Sequence, residues 1–540
     1  MFLASLFITL SFTDIFITAL IGENQRRNGF LAYFSLLIIL IFVYFKMDLI
    51  FIERLVKTFL MLGLILGVYG IFQSLGKDFV RWLNPYNPLI TTFGNPNFAS
   101  AFFAVLLCVS LFSIGFKTFP NKYKIISVTV LVLAVICIVR SQSKQGIVAA
   151  AFGITFYICC YFWFIKRRFK FITVGSSLSL LLISTLGMLN QGPLASFLYK
   201  DSVSVRGFYW RAGIEMFKSS PVVGVGLDRY GSYFKEYRES NYPLRYGFEL
   251  TSTNAHNTAI QHFSTGGLLL GLSYIILLGY IFIVGLNSIR NSSGEVQRVS
   301  LSLLATWITF QAQSFISIDN LGLSIWGWIL GGTILSISRQ IKSTGDIQLD
   351  LSKAFRTKSP NRITLLQPIS STIFLVPILF VSVQLFRFES DSFAIRSLDV
   401  AKPSNYKQQI LIKNDNLENN FFADPFYVYQ SAIALYDTGE RGKAISQIKN
   451  LLKKDPRNLD YLSWLSWQAE SDLDHAQAIK YRLVIALHDP WNATNYLQLG
   501  KNYRETGEII KMERMLAKIK SFASANEIYK SALDELKSPS

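Results

Sequence analysis

Residues 263–286 read FSTGGLLLGLSYIILLGYIFIVGL and contain no charged side chain. A helix that crosses a bilayer needs roughly 20 mostly apolar residues, so this stretch predicts a transmembrane helix. Comparable stretches lie on both sides of it, and the chain therefore predicts an all-α, polytopic membrane protein. We predict about eleven spans, at 1–21, 29–45, 55–74, 98–116, 125–139, 145–165, 171–188, 263–286, 299–317, 322–338 and 367–387.

The composition divides the 540 residues into two parts. Only 16% of the residues are charged, whereas soluble proteins average about 25%. The deficit is confined to the first 390 residues or so. We therefore predict a membrane domain at 1–390, a linker at 391–423 and a soluble domain at 424–540. The membrane domain includes one long loop between spans, at 189–262, and loops of that length are usually functional.

Basic residues predict how the chain is oriented. Short loops rich in Lys and Arg, such as KRRFK at 166–170, remain in the cytoplasm. The N-terminus then lies inside, and its first apolar run is a retained span because no cleavage site follows it. The loop 189–262 and the C-terminal domain lie outside the cytoplasmic (inner) membrane. This topology accounts for part of the net charge of +18, so no nucleic-acid partner is predicted.

The C-terminal domain contains a weak internal repeat. Asp424-Pro425, Asp455-Pro456 and Asp489-Pro490 recur at a spacing of 31 to 34 residues. Helical patterns with small residues lie between them, as in tetratricopeptide helix pairs. We therefore predict an extracytoplasmic α-solenoid. Such solenoids bind partners through a concave face, so the tail could recruit a substrate or another protein.

Several cations remain in the outer loops, where the topology rule expects few. They are Arg26, Arg27, Arg140, Lys144, Arg206, Arg211 and Arg229. One interpretation is that they extend to the membrane interface as anchors. The other is that they converge on an anionic group at the outer surface. Arg206 and Trp210 are four residues apart in an amphipathic helical pattern, so they share a face, either as an interfacial anchor or as part of a site.

His256 lies in Asn254-Ala255-His256-Asn257, directly before the span at 263–286. His262 follows six residues later, a spacing that does not give a metal-binding histidine pair on one helical face. No metal or cofactor is predicted. A single histidine is often structural, but this one follows an arginine-bearing loop. An imidazole there is suited to accept a proton from a sugar hydroxyl near neutral pH.

These motifs, in this order, resemble the O-antigen ligase and polymerase superfamily, in its subgroup with a tetratricopeptide tail. The resemblance covers nearly the whole chain. Its motifs are Gly22…Arg26-Arg27…Gly29, Val68-Tyr69-Gly70…Gln73…Gly76…Asp78…Trp82, Thr92-Phe93-Gly94-Asn95-Pro96-Asn97, Ser143-Lys144-Gln145-Gly146, Arg206…Trp210…Pro221…Gly224…Gly226 and His256-Asn257…Gly267.

The resemblance implies a metal-independent glycosyltransferase that takes a glycan from undecaprenyl pyrophosphate outside the cytoplasmic membrane. By position, His256 would be the base and Arg206 would bind the pyrophosphate. The other expected pyrophosphate-binding residues are Arg140, Lys144, Arg26, Arg27 and Arg211, with Asn257 and Trp210 in support. Lys144 stands where the family usually has Arg, so either Arg140 or Lys144 would complete the clamp. Leu270 stands where the family has a small residue.

Several alternatives remain open at this point. The acceptor could be a lipid, a protein or another glycan, and ligase and polymerase are not distinguished. The protein could also be a transporter or flippase of a lipid-linked glycan, or a membrane-anchored scaffold. The predicted spans hold few ionisable residues, with Asp14 the clear exception, which argues against an ion-coupled transporter.

Overall fold

A computed structural model describes residues 1–344 except 25, 48, 81, 83–88, 118, 168, 189 and 200, and residues 405–537 except 419–422. Every regular element in these ranges is a helix. In the first range the α-helices are α1 Phe2–Ser11, α2 Phe16–Ile21, α3 Phe30–Lys46, α4 Leu49–Ser74, α5 Pro96–Ile114, α6 Asn121–Arg140, α7 Lys144–Cys160, α8 Lys170–Met188, α9 Ala195–Leu198, α10 Asp201–Ser219, α11 Tyr230–Tyr237, α12 Asn241–Tyr246, α13 Thr258–Arg290, α14 Gly294–Ser314 and α15 Leu321–Thr344.

The second range continues the numbering with shorter helices. They are α16 Tyr406–Glu418, α17 Pro425–Asp437, α18 Arg441–Lys454, α19 Leu459–Ser471, α20 His475–His488, α21 Ala493–Glu505, α22 Ile509–Ala523 and α23 Glu527–Lys537. Turns of three residues join α17 to α18, α19 to α20 and α21 to α22, and the helices of each pair pack together. The tail is therefore a row of helix hairpins, and an Asp-Pro dipeptide precedes the first helix of each one.

Within the described residues, seven helices are long and apolar enough to cross a membrane. They are Phe51–Ser74, Pro96–Ile114, Asn121–Arg140, Lys144–Lys166, Lys170–Gly187, Thr258–Arg290 and Leu321–Ile341. Each coincides with a span predicted from the sequence, so the prediction of a polytopic helical membrane protein is confirmed. α8 shows why lipid suits this surface, because Phe171, Ile172 and Leu178 are exposed along it.

The other predicted spans have different outcomes. Phe30–Lys46 is a shorter apolar helix at the predicted 29–45. α14 occupies most of 299–317 and is largely buried, but it is not among the seven. The span at 367–387 lies outside the described residues. The prediction of one continuous helix over 1–21 was wrong, because α1 ends at Ser11 and α2 begins at Phe16. Two polar residues, Thr13 and Asp14, lie in the gap, and Asp14 accepts a hydrogen bond from the Tyr233 hydroxyl at 3.3 Å.

The described residues form two compact units that interleave along the chain. We call the first the membrane unit; it comprises Met1–Thr9, Asn28–Gly224 and the described residues of 254–358. All seven candidate spans belong to it. We call the second the tail unit; it comprises Leu10–Arg27, Val225–Thr253 and the described residues of 359–540. The helix hairpins thus form one body with two segments from the first half of the chain.

A glycine kink inside α13 fixes the turn that follows α10. Gly267 has φ +61° and ψ −159°, a conformation that is essentially restricted to glycine. The turn before Gly224 packs directly on the kink, and the Leu268 N–H donates to the Pro221 carbonyl at 2.8 Å. A Cβ on Gly267 would lie 2.3 Å from the carbonyl carbon of Val222. The kink therefore ties α10, with its arginines, to the helix that follows His256.

We expect Gly267→Ala to destabilise the membrane unit by more than about 3 kcal/mol, since it adds a steric clash to about 1–3 kcal/mol of backbone strain. The measurement is the thermal unfolding midpoint of the purified protein in detergent. Gly279→Ala is the matched control in the same helix, because a Cβ there meets nothing within 4 Å. Equal midpoints for the two variants would show that the kink does not hold the turn.

Candidate functional site

The backbone around His256 is held on both sides. The His256 N–H donates to Asn254 Oδ1 at 2.9 Å, and φ at His256 is +53°. The next residue, Asn257, caps α13 by accepting from the Ile260 N–H at 3.0 Å, and its amide donates to the Phe315 carbonyl at 3.0 Å. A left-handed conformation at a non-glycine residue is typical of functional sites. The half-buried imidazole is therefore held in a defined position.

Tyr209 of α10 packs on the His256 ring. The two rings are stacked, with centroids 5.1 Å apart and an angle of 30° between their planes. Tyr209 lies one helical turn after Arg206, and side chains three apart are neighbours on a helix surface. The structure thus places Tyr209 against His256, with Arg206 one helical turn earlier on α10. Tyr209 was missed, because nothing in its local pattern distinguishes it from the other aromatic residues of the loop.

Arg206 and Trp210 both present N–H donors that no described residue accepts from. Among the described residues, no carboxylate pairs with the Arg206 guanidinium. Burial lowers the pKa of Arg206 below its ordinary value, and Tyr209 acts in the opposite direction. The buried indole N–H of Trp210 likewise has no acceptor within the described part of the chain. An unpaired, partly desolvated cation beside an unused N–H is an arrangement that suits an anionic ligand.

Arg211 lies on a different side of α10. Its guanidinium stacks over the Phe208 ring, 4.7 Å from the centroid, and its side chain is exposed. Five residues at 3.6 per turn place it about 140° around the helix from Arg206. The two arginines that the sequence grouped therefore do not share one face.

A buried polar layer connects the Ser143-Lys144-Gln145 motif to the His256 motif. Ser143 caps α7, which begins at Lys144. The Ser143 hydroxyl also donates to Asn97 Oδ1 at 2.7 Å. Gln145 Nε2 donates to Gln313 Oε1 at 3.2 Å near the end of α14. The layer thus joins two motifs that are far apart in the sequence.

The same end of α14 holds the residues after His256. The Thr258 hydroxyl donates to the Ser314 carbonyl at 3.2 Å, next to the bond from Asn257 to Phe315. The start of α7, with Lys144, and the start of α13 therefore both attach to one helix end. Arg140, the last residue of α6, is exposed and donates to the Ser74 carbonyl at 2.9 Å.

The tail unit contains the other three outer-loop cations, Arg26, Arg27 and Arg229. Arg27 Nη1 lies 2.6 Å from Asp424 Oδ2, so Arg27 is neutralised by the first Asp-Pro aspartate. Burial lowers the pKa of Arg26, while Asp228 and Glu23 raise it. Arg27 thus has a structural partner that the sequence prediction did not foresee.

The same pairing occurs at each Asp-Pro dipeptide. Arg229 binds both carboxylate oxygens of Asp455, at 3.0 and 3.2 Å. Arg238 Nη2 lies 2.7 Å from Asp489 Oδ1, and both side chains are fully buried. We call these pairs, together with Arg27–Asp424, the arginine ladder. Arg238 was missed, although three regularly spaced aspartates could have suggested three arginine partners.

The described residues thus define an all-helical membrane protein whose membrane unit stacks Tyr209 on His256, one helical turn after Arg206. Residues 129–275, about a quarter of the chain, match the family model described as O-Antigen ligase. The matched region includes Arg140, Lys144, Arg206 and His256. No curated protein matches the chain. The family match supports a ligase- or polymerase-like function on surface glycans.

Proposed function

We propose that this protein transfers a glycan from undecaprenyl pyrophosphate to an acceptor hydroxyl at the extracytoplasmic face of the cytoplasmic membrane, without a metal. The observation that carries the proposal is the Arg206 guanidinium, which no described carboxylate neutralises, on the same helix as Tyr209 and one turn before its stack with His256. A pyrophosphate supplies the anion that this cation lacks. The sugar attached to the pyrophosphate then needs a base nearby, and His256 is that base.

The reaction forms one bond and breaks one bond at the anomeric carbon. The acceptor oxygen attacks this carbon, and its proton passes to the neutral imidazole of His256. The bond between the anomeric carbon and the pyrophosphate oxygen breaks, and undecaprenyl pyrophosphate leaves with that electron pair. Arg206 stabilises the growing negative charge, and the Trp210 N–H can donate to the same group. The proton on His256 is later released to water.

Lys144 is our proposed second cation, because it opens α7. The first backbone N–H groups of a helix attract anions as well. The polar layer from Gln145 through Gln313 supports the proposal, because it anchors this helix start and the His256 loop to the same end of α14. Arg140 retains the alternative role, and Asn257 positions His256.

For the chain as a whole we propose that the N-terminus lies inside and that the C-terminal hairpins lie outside as tetratricopeptide-like repeats. Support comes from the three-residue turns of the hairpins and from the Asp-Pro dipeptides between them. The arginine ladder ties these hairpins to segments 10–27 and 225–253. We propose that the hairpins are held on these two segments rather than free to move away from them.

We expect Arg206→Ala to lower glycan transfer by about 10²–10³-fold, the usual effect of removing one group that stabilises charge in a transition state. Arg206→Lys should lose less, since it keeps the charge but not the planar guanidinium. The measurement is release of undecaprenyl pyrophosphate by membranes that contain each variant at equal amounts. Lys218→Ala, at an exposed position of the same helix, is the control and should match the wild type.

Two results would contradict the proposal. One is an Arg206→Ala variant with wild-type transfer. The other comes from a deletion strain, in which we expect lipid-linked glycan to accumulate on the outer leaflet. Accumulation on the inner leaflet instead would indicate a flippase.

A further inference from the structure

The tail unit contains a large open cleft. Its volume is about 1290 Å³, and it is lined by α2, by segment 229–253 and by helices α16 to α19. Pockets for drug-sized ligands are usually about 300–1,000 Å³. The cleft therefore has room for a chain of several linked units rather than for one small molecule.

Charged side chains are frequent among the described residues that line the cleft, and their charges nearly balance. They include seven carboxylates, Asp14, Glu23, Glu249, Glu418, Asp424, Asp455 and Asp460, and five cations, Arg229, Lys235, Lys453, Lys454 and Arg457. Asp424 and Asp455 are already paired in the arginine ladder. An anion such as pyrophosphate would meet at least as much repulsion as attraction here. The lining instead suits an uncharged ligand rich in hydroxyl groups, which can donate and accept at many points.

Aromatic rings lie among these polar groups. Phe16 and Phe426 line the cleft and expose much of their surface. Tyr429 also lines it and contacts the ring of Tyr461, with centroids 5.0 Å apart. A binding site that combines apolar faces with a few placed polar groups is typical for organic ligands. Sugar rings present both kinds of surface, because their C–H faces are apolar and their edges carry hydroxyls.

One side chain that lines the cleft, Gln447, has hydrogen-bonding groups that no described residue satisfies. Gln447 of α18 is 3% exposed, and neither its Nε2 nor its Oε1 has a hydrogen-bond partner among the described residues. A buried amide without partners costs about 1–3 kcal/mol or more. If the buried amide turns toward the cleft that Gln447 lines, a ligand hydroxyl can donate to Oε1 and accept from Nε2, which would remove that cost.

Glu23 adds a second group suited to neutral hydroxyls. Burial, helped by Asp228, raises the pKa of Glu23 to about 8, although Arg229 acts in the opposite direction. Near pH 7 much of this carboxyl is protonated, so it can donate as well as accept. This observation supports the same class of ligand.

We propose that this cleft binds the uncharged sugar units of the glycan on which the protein acts, with Gln447 bonding their hydroxyls and Tyr429 packing on a sugar face. The inference rests on the proposed function for the identity of the glycan. Both the donor and a glycan acceptor carry such a sugar chain, and its binding is separate from the pyrophosphate contact at Arg206.

The test uses the full-length protein in detergent and the source cells' surface glycan, freed of lipid and pyrophosphate by mild acid and labelled at its reducing end. Fluorescence anisotropy should show binding to the wild type and to His256→Asn. Gln447→Leu and Tyr429→Ala should each weaken binding at least tenfold. Gln447→Leu should also keep or raise the melting temperature, since it removes unsatisfied polar groups from a buried position.

Gln468→Leu is the matched control. Gln468 is as buried as Gln447, but its Nε2 already donates to Asp472 at 2.8 Å and it does not line the cleft. This variant should bind the glycan as the wild type does. In transfer assays, a KM that rises in Gln447→Leu only for donor or only for acceptor assigns the bound chain to that substrate.

Three outcomes would overturn the inference. In the first, the wild type does not bind the free glycan. In the second, Gln447→Leu binds it as tightly as the wild type does. In the third, the cleft binds a protein partner selectively and does not bind glycan. Failure of the proposed function would look different. The glycan would still bind to wild type and His256→Asn, but the wild type would release no undecaprenyl pyrophosphate.

Discussion

We expect His256→Asn to lower glycan transfer by about 10²–10⁴-fold, the usual contribution of a general base. The proton of the acceptor hydroxyl would have no group to receive it, while the pyrophosphate contact at Arg206 would remain. The measurement is the rate of undecaprenyl pyrophosphate release by purified protein at saturating donor. Asparagine is the informative replacement because, like histidine, it tolerates the left-handed backbone found at this position.

His256→Ala and His475→Ala complete the design. Alanine removes the imidazole and also strains the backbone, so His256→Ala should lose at least as much activity as His256→Asn. His475 lies in the tail, where its ring nitrogen contacts Asn502 at 2.9 Å, and its replacement should leave transfer intact. Full activity in His256→Asn together with loss in His256→Ala would show that the residue matters for its backbone and not as a base.

Arg238→Ala is expected to destabilise the tail unit by about 3–5 kcal/mol, the cost of leaving a buried charge without its partner. Asp489 is fully buried, and Arg238 also donates to the Phe248 and Leu250 carbonyls, at 3.1 and 3.0 Å. The nearest other cation to Asp489, Lys235, is 3.8 Å away. The measurement is the rate at which a protease cleaves the tail in the folded protein, together with the thermal unfolding midpoint.

Two controls test the cause of this effect. Arg441–Asp472 is an exposed pair in the same unit, and Arg441→Ala should cost less than about 1 kcal/mol. Arg238→Met combined with Asp489→Leu should recover much of the loss, because it removes both buried charges. Similar losses in Arg238→Ala and Arg441→Ala would show that the arginine ladder does not stabilise the unit.

The spans were predictable because a membrane helix is encoded locally. Length and hydropathy alone located the seven candidates, including Thr258–Arg290. The break between α1 and α2 was not predicted, because hydropathy averaged over a window hides the two polar residues Thr13 and Asp14. The repeated hairpins were predictable from the Asp-Pro spacing because this signal, like hydropathy, lies in short stretches of the sequence.

The contacts between distant residues could not be predicted. The sequence grouped all outer cations as one class. Arg27, however, pairs with Asp424, whereas no carboxylate in the described ranges pairs with Arg206. Arg27 and Arg206 differ only in the residues that the fold places near them. The partner of Arg27 lies 397 residues away in the sequence. Tyr209 and Gln447 were missed for the same reason, since ring stacking and an unsatisfied amide exist only in three dimensions.

Cleavage of the donor is the most direct measurement of glycan transfer. Purified protein in sealed vesicles would be mixed with undecaprenyl-pyrophosphate-linked glycan from the source cells and a matching acceptor, in the presence of EDTA. We expect undecaprenyl pyrophosphate to be released mole for mole with glycan joined to the acceptor. Donor that stays intact and only moves between the leaflets would contradict the assignment of His256 and Arg206 to a transfer reaction.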